Sequence, residues 1–244
     1  MLIHVVNPNT TNTMTEKIGK AAKAAVGANV EIIVSQSEMG PVSIEGYYDE
    51  AFAVPGMLAR IAEAAAKGVA GRVIACFDDT GLDAARCIAK SPVIGIGEAA
   101  FHAASLVAGR FSVITTLGRS VPAIEHNLTR YGLASRCSKV RSAEVPVLAF
   151  EDPQSDAYMK ITAEIVVASQ EDACEAIVLG CAGMADIARD LCAKHGVPII
   201  DGVAAAVGLI QMLHQAGIKT SKRGGYAAPL PKKYVGEFSR FAPS

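Results

Sequence analysis

Short apolar runs alternate along the chain with longer segments in which apolar residues recur every three or four positions. The first pattern suits buried strands and the second amphipathic helices. In the first half, strands are expected at 2–6, 30–34, 72–76 and 93–96. Helices are expected at 13–26, 50–67, from about 82, and at 98–107. A loop at 39–46 containing Pro41 interrupts the alternation once. The second half repeats the order. Strands are expected at 111–116, around 142–146, at 176–180 and at 198–200, with helices at 121–131, 155–173, 185–195 and 203–216. The tail from Ser221, with Gly224-Gly225, Pro229 and Pro231, reads as an irregular arm to which no chemistry is assigned.

Strands alternating with helices predict an α/β protein with mainly parallel sheets flanked by helices. The chain has 244 residues, of which 51% are hydrophobic, enough for one wide domain or two small ones. Net charge is −1, with no Lys/Arg-rich block, so the electrostatic footprint of a nucleic-acid binder is missing. No apolar run is long enough for a membrane span, and the first residues read as a strand, not a signal peptide. A cytoplasmic protein without a nucleic-acid or membrane partner is expected. Its Ala-rich helices could line a core or join subunits, and a homo-oligomer is the expected assembly.

An internal duplication changes the picture. Arg72-Val-Ile-Ala-Cys76 matches Ala176-Ile-Val-Leu-Gly-Cys181 (181 − 76 = 105). Thr10 matches Thr115 (115 − 10 = 105). The segment from Pro92 matches the one from Pro198 (198 − 92 = 106). Duplicated βα units are expected to pack about a pseudo-twofold axis, as two pseudo-symmetric lobes with the active site in the cleft between them. The expected division is 1–96 for the first lobe, completed by about 203–244, and 97–202 for the second.

The duplication singles out two of the six cysteines. No Cys/His spacing suggests zinc, and a thiol in a reducing compartment is ordinarily a small buried hydrophobe. Cys87, Cys137, Cys174 and Cys192 keep that reading. Cys76 and Cys181 each end a strand and precede an expected helix, where parallel sheets place their ligands. A helix N-terminus there would lower a thiol's pKa. Inverting a carbon requires removing a proton from one face and returning one to the other. Paired identical acid/base groups on opposite walls do this without moving the substrate. The turns Asp79-Thr80-Gly81 and Ala182-Gly183-Met184 would offer amides to the resulting oxyanion, with side-chain donors from Asn9, Thr115 and Thr116. Asp78 and Asp79 read more simply as the solvated first turn of a helix. No metal site and no nucleotide cradle is evident.

These residues resemble the aspartate/glutamate/hydantoin racemase superfamily over nearly the whole chain. The likeness rests on Asn7-Pro8-Asn9-Thr10, Cys76 with Thr80-Gly81, Thr115-Thr116, and Gly180-Cys181 with Gly183-Met184. The resemblance implies two α/β lobes, an active site between them, catalysis without metal or cofactor, and two cysteines exchanging the C5 proton of a 5-substituted hydantoin. Allantoin is the nearest alternative substrate. An amino acid, a small diacid, or a related isomerisation or decarboxylation stands further off, as does a non-catalytic small-molecule binding protein. Amino-acid racemases of the group tend to carry Cys-Asn-Thr and Gly-Cys-Thr-His at the two sites. Here Cys76-Phe77-Asp78 and Cys181-Ala182-Gly183 stand instead. Phe77, Ala182, Gly183 and Met184 offer an apolar wall suited to a neutral ring. The loop Pro41-Val42-Ser43-Ile44-Glu45 could cover the cleft, with Ile44 against the 5-substituent.

Overall fold

Two four-stranded parallel sheets, with the same strand order, organise the chain. The computed structural model describes residues 1–152, 154–185 and 187–243. In the first sheet β1 (Leu2–Asn7) lies between β2 (Glu31–Gln36) and β3 (Gly71–Ile74), with β4 (Val93–Gly95) beyond β3. In the second, β5 (Phe111–Thr115) lies between β6 (Cys137–Ser142) and β7 (Ala176–Gly180), with β8 (Ile199–Ile200) outside β7. The order 2-1-3-4 is thus repeated, and every pairing is parallel.

The helices are α1 (Asn12–Ala24), α2 (Tyr47–Glu63), α3 (Leu82–Ile88), α4 (Ile96–Val107), α5 (Val121–Arg130), α6 (Ala157–Glu171), α7 (Ala188–His195) and α8 (Gly202–Gln215). Helix α8 packs on α4 and α1 and touches β3 and β4 of one sheet and β7 of the other. One continuous core therefore joins Ile3, Val5 and Val73 of the first sheet to Phe111, Val113 and Val178 of the second, through Phe101, Val203, Val207 and Ile210. Each sheet buries its other face separately. Met57, Ile61 and Leu82 cover Val6 and Ile74. Ile161, Ile165 and Leu191 cover Ile114, Ile177 and Leu179. Strands buried on both faces explain the uninterrupted apolar runs of β3 and β7. No helix of the described residues is long and apolar enough to cross a membrane.

Two sequence expectations need correction. The strand expected around 142–146 lies at Cys137–Ser142. It is an edge strand, partly exposed throughout, so its polar residues mask it and the apolar Val145 and Val147 mislead. Cys137 is its first residue. The pairing of Thr10 with Thr115 also fails. Ile3 pairs with Gly71 as Phe111 pairs with Ala176. The counterpart of Thr115 is therefore Asn7 (115 − 7 = 108), three residues earlier than the sequence offset suggests. The matches of Cys76 with Cys181, and of β4 with β8, agree with the strand register.

Candidate active site

The chain leaves β3 and β7 at equivalent points of the two sheets, and a cysteine stands at each exit. Cys76 and Cys181 line one cleft of about 410 Å³, counting its open mouth. Around them stand Asn9, Ile44, Phe77, Asp78, Thr115, Thr116 and Ala182, together with Met14, Ser120 and Val147. Among the described residues, no Lys, Arg or His lines this cleft. The loop before α2 forms one wall. It is tied down where the Thr10 amide donates to the Pro41 carbonyl at 3.1 Å and the Val147 amide donates to Glu45 Oε1 at 2.9 Å. Those bonds hold Ile44, 8% exposed, over the cleft and join the two halves of the chain.

The two thiols have different surroundings. Cys76 Sγ accepts a hydrogen bond from Thr80 Oγ1 at 3.3 Å. Cys181 Sγ accepts one from the Gly183 amide at 3.4 Å. Burial pushes the Cys76 thiol well above its ordinary range, and the Asp78 carboxylate adds to the rise against the Thr80 hydroxyl and the Asp78 amide. Burial pushes Cys181 up to about 12, opposed by the Gly183 amide and reinforced by Asp78. The expected lowering by a helix N-terminus is thus outweighed. Cys181 is followed by a 3₁₀ turn, Ala182–Met184, and α7 begins only at Ala188. Helix α3 begins at Leu82, six positions beyond Cys76. Too few aligned amides face either sulfur to offset its desolvation.

Asp78 and Asp79 do not form a solvated first turn. Asp78 faces the cleft, where burial, then Glu50 and Asp79, push its carboxyl up to about 7. Asp79 points elsewhere. It adopts φ of 53° and accepts from the Gly97 amide at 3.0 Å, the Glu98 amide at 2.8 Å and the Tyr131 hydroxyl at 2.8 Å. It therefore caps α4 from a distant turn. Burial pushes its carboxyl up to about 7, against those three donors. A Cβ at Gly95 would lie 1.9 Å from Asp79 Oδ1, and one at Gly97 would lie 2.2 Å from the Phe77 carbonyl oxygen. The pair Gly95-x-Gly97 is the sequence signal for this docking, and it carries no label without the fold.

Other expected contact residues are also placed differently. Gly81 adopts φ of 68° and packs against Met57 and Val54, so its freedom serves the turn into α3 and not a ligand. Met184 is fully buried beneath the second sheet with Ile161 and Leu191, away from the cleft. Gly183 touches the Cys181 sulfur through its amide, and Thr80 touches the Cys76 sulfur. Asn9 is engaged by its neighbours, with Oδ1 accepting from the Asn7 side chain at 2.8 Å and from the Thr11 amide at 3.0 Å. Thr115 donates to the Gly180 carbonyl at 3.1 Å. Thr116 and Ser120, both almost fully buried, also line the cleft. Ser120 and Val147 were not legible as site residues because they follow strands of the second sheet through loops whose course sequence does not fix.

Comparison with known proteins gives the family. Residues 3–210 match the family model of the Asp/Glu/Hydantoin racemase domain. A hydantoin racemase of Rhizobium meliloti is 49% identical over 236 residues, covering 97% of this chain and 98% of the relative. The solved structure of an allantoin racemase from Klebsiella pneumoniae superposes with a TM-score of 0.97 at 44% identity, over the full length of both chains. That of an allantoin racemase from Pseudomonas fluorescens gives 0.92 at 36% identity, covering 97% of this chain and all of the other. The match spans both sheets and both cysteine turns, and the chain belongs to the Asp/Glu/hydantoin racemase family.

Proposed function

We propose that the protein racemises 5-monosubstituted hydantoins by a two-base mechanism, with Cys76 and Cys181 exchanging the C5 proton from opposite faces. The observation that carries this reading is that equivalent cysteines, at the ends of equivalent central strands, line a single cleft. A racemase is also what the family and its hydantoin-racemase relative support. In the reaction one cysteine is thiolate and the other thiol. The thiolate takes the C5 proton, and the C–H electron pair moves into the adjacent carbonyl as an enolate. The opposite thiol protonates C5 on its other face, so the sulfurs end with their protonation states exchanged. The proton moves only between sulfur and carbon, and the scheme calls for no cofactor.

A cleft without a cation suits a neutral ring better than a substrate bearing a carboxylate, which Asp78 would repel. The Thr116 and Ser120 side chains, which line the cleft, would supply hydroxyl donors to the enolate oxygen. Two thiols of raised pKa are strong bases once deprotonated but are scarcely ionised at neutral pH. Such a site favours a substrate whose C–H bond is already acidified by flanking amide carbonyls. Ile44 and Ala182 would meet the 5-substituent and ring face, while the Phe77 ring packs edge-on to Phe101 in the core behind the cleft.

Allantoin is the second reading. It is favoured by the polar share of the lining, since Asp78 could accept from a ureido group. Loss of optical rotation from enantiopure 5-benzylhydantoin and from allantoin, compared as kcat/KM, tests both. The first reading expects faster racemisation of the benzyl compound. A clear preference for allantoin selects the second. Racemisation of neither above the spontaneous rate refutes the hydantoin assignment.

A further inference from the structure

At the opposite end of the first sheet from the cysteines, two basic side chains are buried side by side. His4 on β1 pairs in register with Arg72 on β3, and they are 2% and 3% exposed. A buried charge is ordinarily matched by an acid or by a full set of hydrogen bonds. Arg72 has neither. Its Nη1 donates to Ser91 Oγ, while its Nε has no partner. Among the described residues it makes no ion pair, and burial alone pulls its pKa down. His4 Nε2 contacts Ser35 Oγ at 2.7 Å, and its Nδ1 has no partner. Burial, with Arg72 and Lys67 nearby, drives His4 down to about 4, so the buried pair carries a single positive charge at neutral pH.

The second sheet fills the equivalent place without an unpaired charge among the described residues. By strand register the counterparts of His4 and Arg72 are Ser112 and Ile177. Ser112 donates to Asp172 at 2.8 Å, and Ile177 is ordinary core. The arginine of that sheet, Arg141, is paired with Asp172 at 2.5 Å and Glu171 at 2.9 Å. Arg72 instead borders an open groove of about 1150 Å³ at the amino ends of β3 and β4. Lys90, Ser91, His214 and Lys219 also line it, and among the described residues no acid does. Lys90 and Lys219 are exposed at its rim, each an ammonium on a four-carbon stem.

We propose that this groove is a second binding site, specific for a small oxyanion of the phosphate or carboxylate class, with Arg72 as the buried anchor and Lys90 and Lys219 as the outer contacts. A guanidinium fork is suited to two oxygens of such a group, and the bound anion supplies the missing counter-charge. Arg72 and Cys76 are four positions apart on extended chain, about 13 Å at strand rise. The anion therefore binds away from the reacting carbon, and the site does not depend on which substrate the cysteines serve.

Calorimetric titration of the full chain with inorganic phosphate, at constant ionic strength near neutral pH, tests the proposal. Saturable binding is expected, weakened about tenfold or more in Arg72→Met, the loss of one charged hydrogen-bonding partner. Acetate titrated in parallel tells whether carboxylate is held as well as phosphate. Racemase activity of Arg72→Met should persist. If that variant does not fold, the double variant Lys90→Met/Lys219→Met carries the same test from the surface, with weaker phosphate binding expected. Absence of saturable binding, as when a second copy's carboxylate already fills the groove, overturns the proposal. So does unchanged affinity in a folded variant.

Discussion

The turns that follow β3 and β7 start from one geometry and end in two different environments. Each exits a central parallel strand with a cysteine, and each turn presents hydrogen-bond donors to the sulfur. After β3 the donors are the Thr80 hydroxyl and the Asp78 amide, and two carboxylates, Asp78 and Asp79, follow in the turn. After β7 the donor is the Gly183 amide, and Ala182 and Gly183 follow it. The fold thus fixes where the two thiols stand, while the turns set how readily each gives up its proton. A symmetric reaction is compatible with this asymmetry, because each sulfur needs only to be reachable from its own face of the carbon.

The strongest way to break the comparison is to remove one sulfur at a time. If the two bases are equivalent in role, Cys76→Ser and Cys181→Ser should each lower racemisation by about 10²–10⁴-fold, the usual contribution of a positioned acid or base. Each variant should still exchange solvent deuterium into one enantiomer, and the two variants should differ in which. Near-normal racemisation by either variant would show that one thiol suffices and would remove the two-base scheme.

The second test concerns the carboxylate that only the first turn buries. Asp79 accepts two amides of α4 and the Tyr131 hydroxyl. Asp79→Ala leaves those buried donors unpaired and should lower unfolding free energy by about 2–3 kcal/mol. Denaturant melts of the variant and parent would measure it. The second sheet makes no such demand, since α8 is capped by Asp201 at its own start, through the amides of Val203 and Ala204. A melt unchanged by Asp79→Ala would contradict a capping role.

This difference also marks the limit of what the sequence discloses. The strands β3 and β7 were readable because both of their faces are buried and they end in matching cysteines. The placing of both cysteines at one cleft followed from that repeat. The cap made by Asp79 was not readable, because its partners lie eighteen residues on and one sheet position away, joined by tertiary packing alone. Met184 lies outside the cleft for a related reason. Its position beside Gly183 is clear, but the 3₁₀ turn rotates its side chain into the outer core. Edge strand β6 lacks the two-sided burial that makes its neighbours visible. Local pattern therefore disclosed what burial imposes on consecutive residues, and not what loops bring together.

A smaller effect separates the charge on the first turn from its geometry. Asp78 raises the pKa of both thiols. Asp78→Asn removes that charge, so thiolate forms more readily and the ascending limb of the pH–rate profile should move to lower pH. Stability should respond in the same variant. The Asp78 carboxyl is raised from 3.8 to about 7 in the folded chain. The folded state then binds more protons than the unfolded state across that interval, and stability falls as pH rises through it. Asp78→Asn should flatten that fall. An unshifted pH–rate limb would mean that Asp78 does not sense the thiols.

The finest test asks whether the asymmetry reaches catalysis at all. Thr80→Val preserves shape and removes the hydroxyl that donates to Cys76 Sγ at 3.3 Å. A hydrogen bond of this kind contributes roughly 0.5–1.5 kcal/mol, so thiolate formation at Cys76 should become up to about tenfold less favourable. Steady-state kcat/KM cannot reveal which direction suffers. Enantiomers have equal free energy in solution, and the ratio of the two kcat/KM values must remain at one whatever the substitution does. The asymmetry should instead appear in how kcat and KM divide for each enantiomer. It should appear also in solvent-deuterium exchange, slowed for the enantiomer whose proton Cys76 removes. Equal changes in kcat and KM for both enantiomers would mean that the Thr80 hydroxyl does not distinguish the two thiols during turnover, however differently the resting cleft holds them.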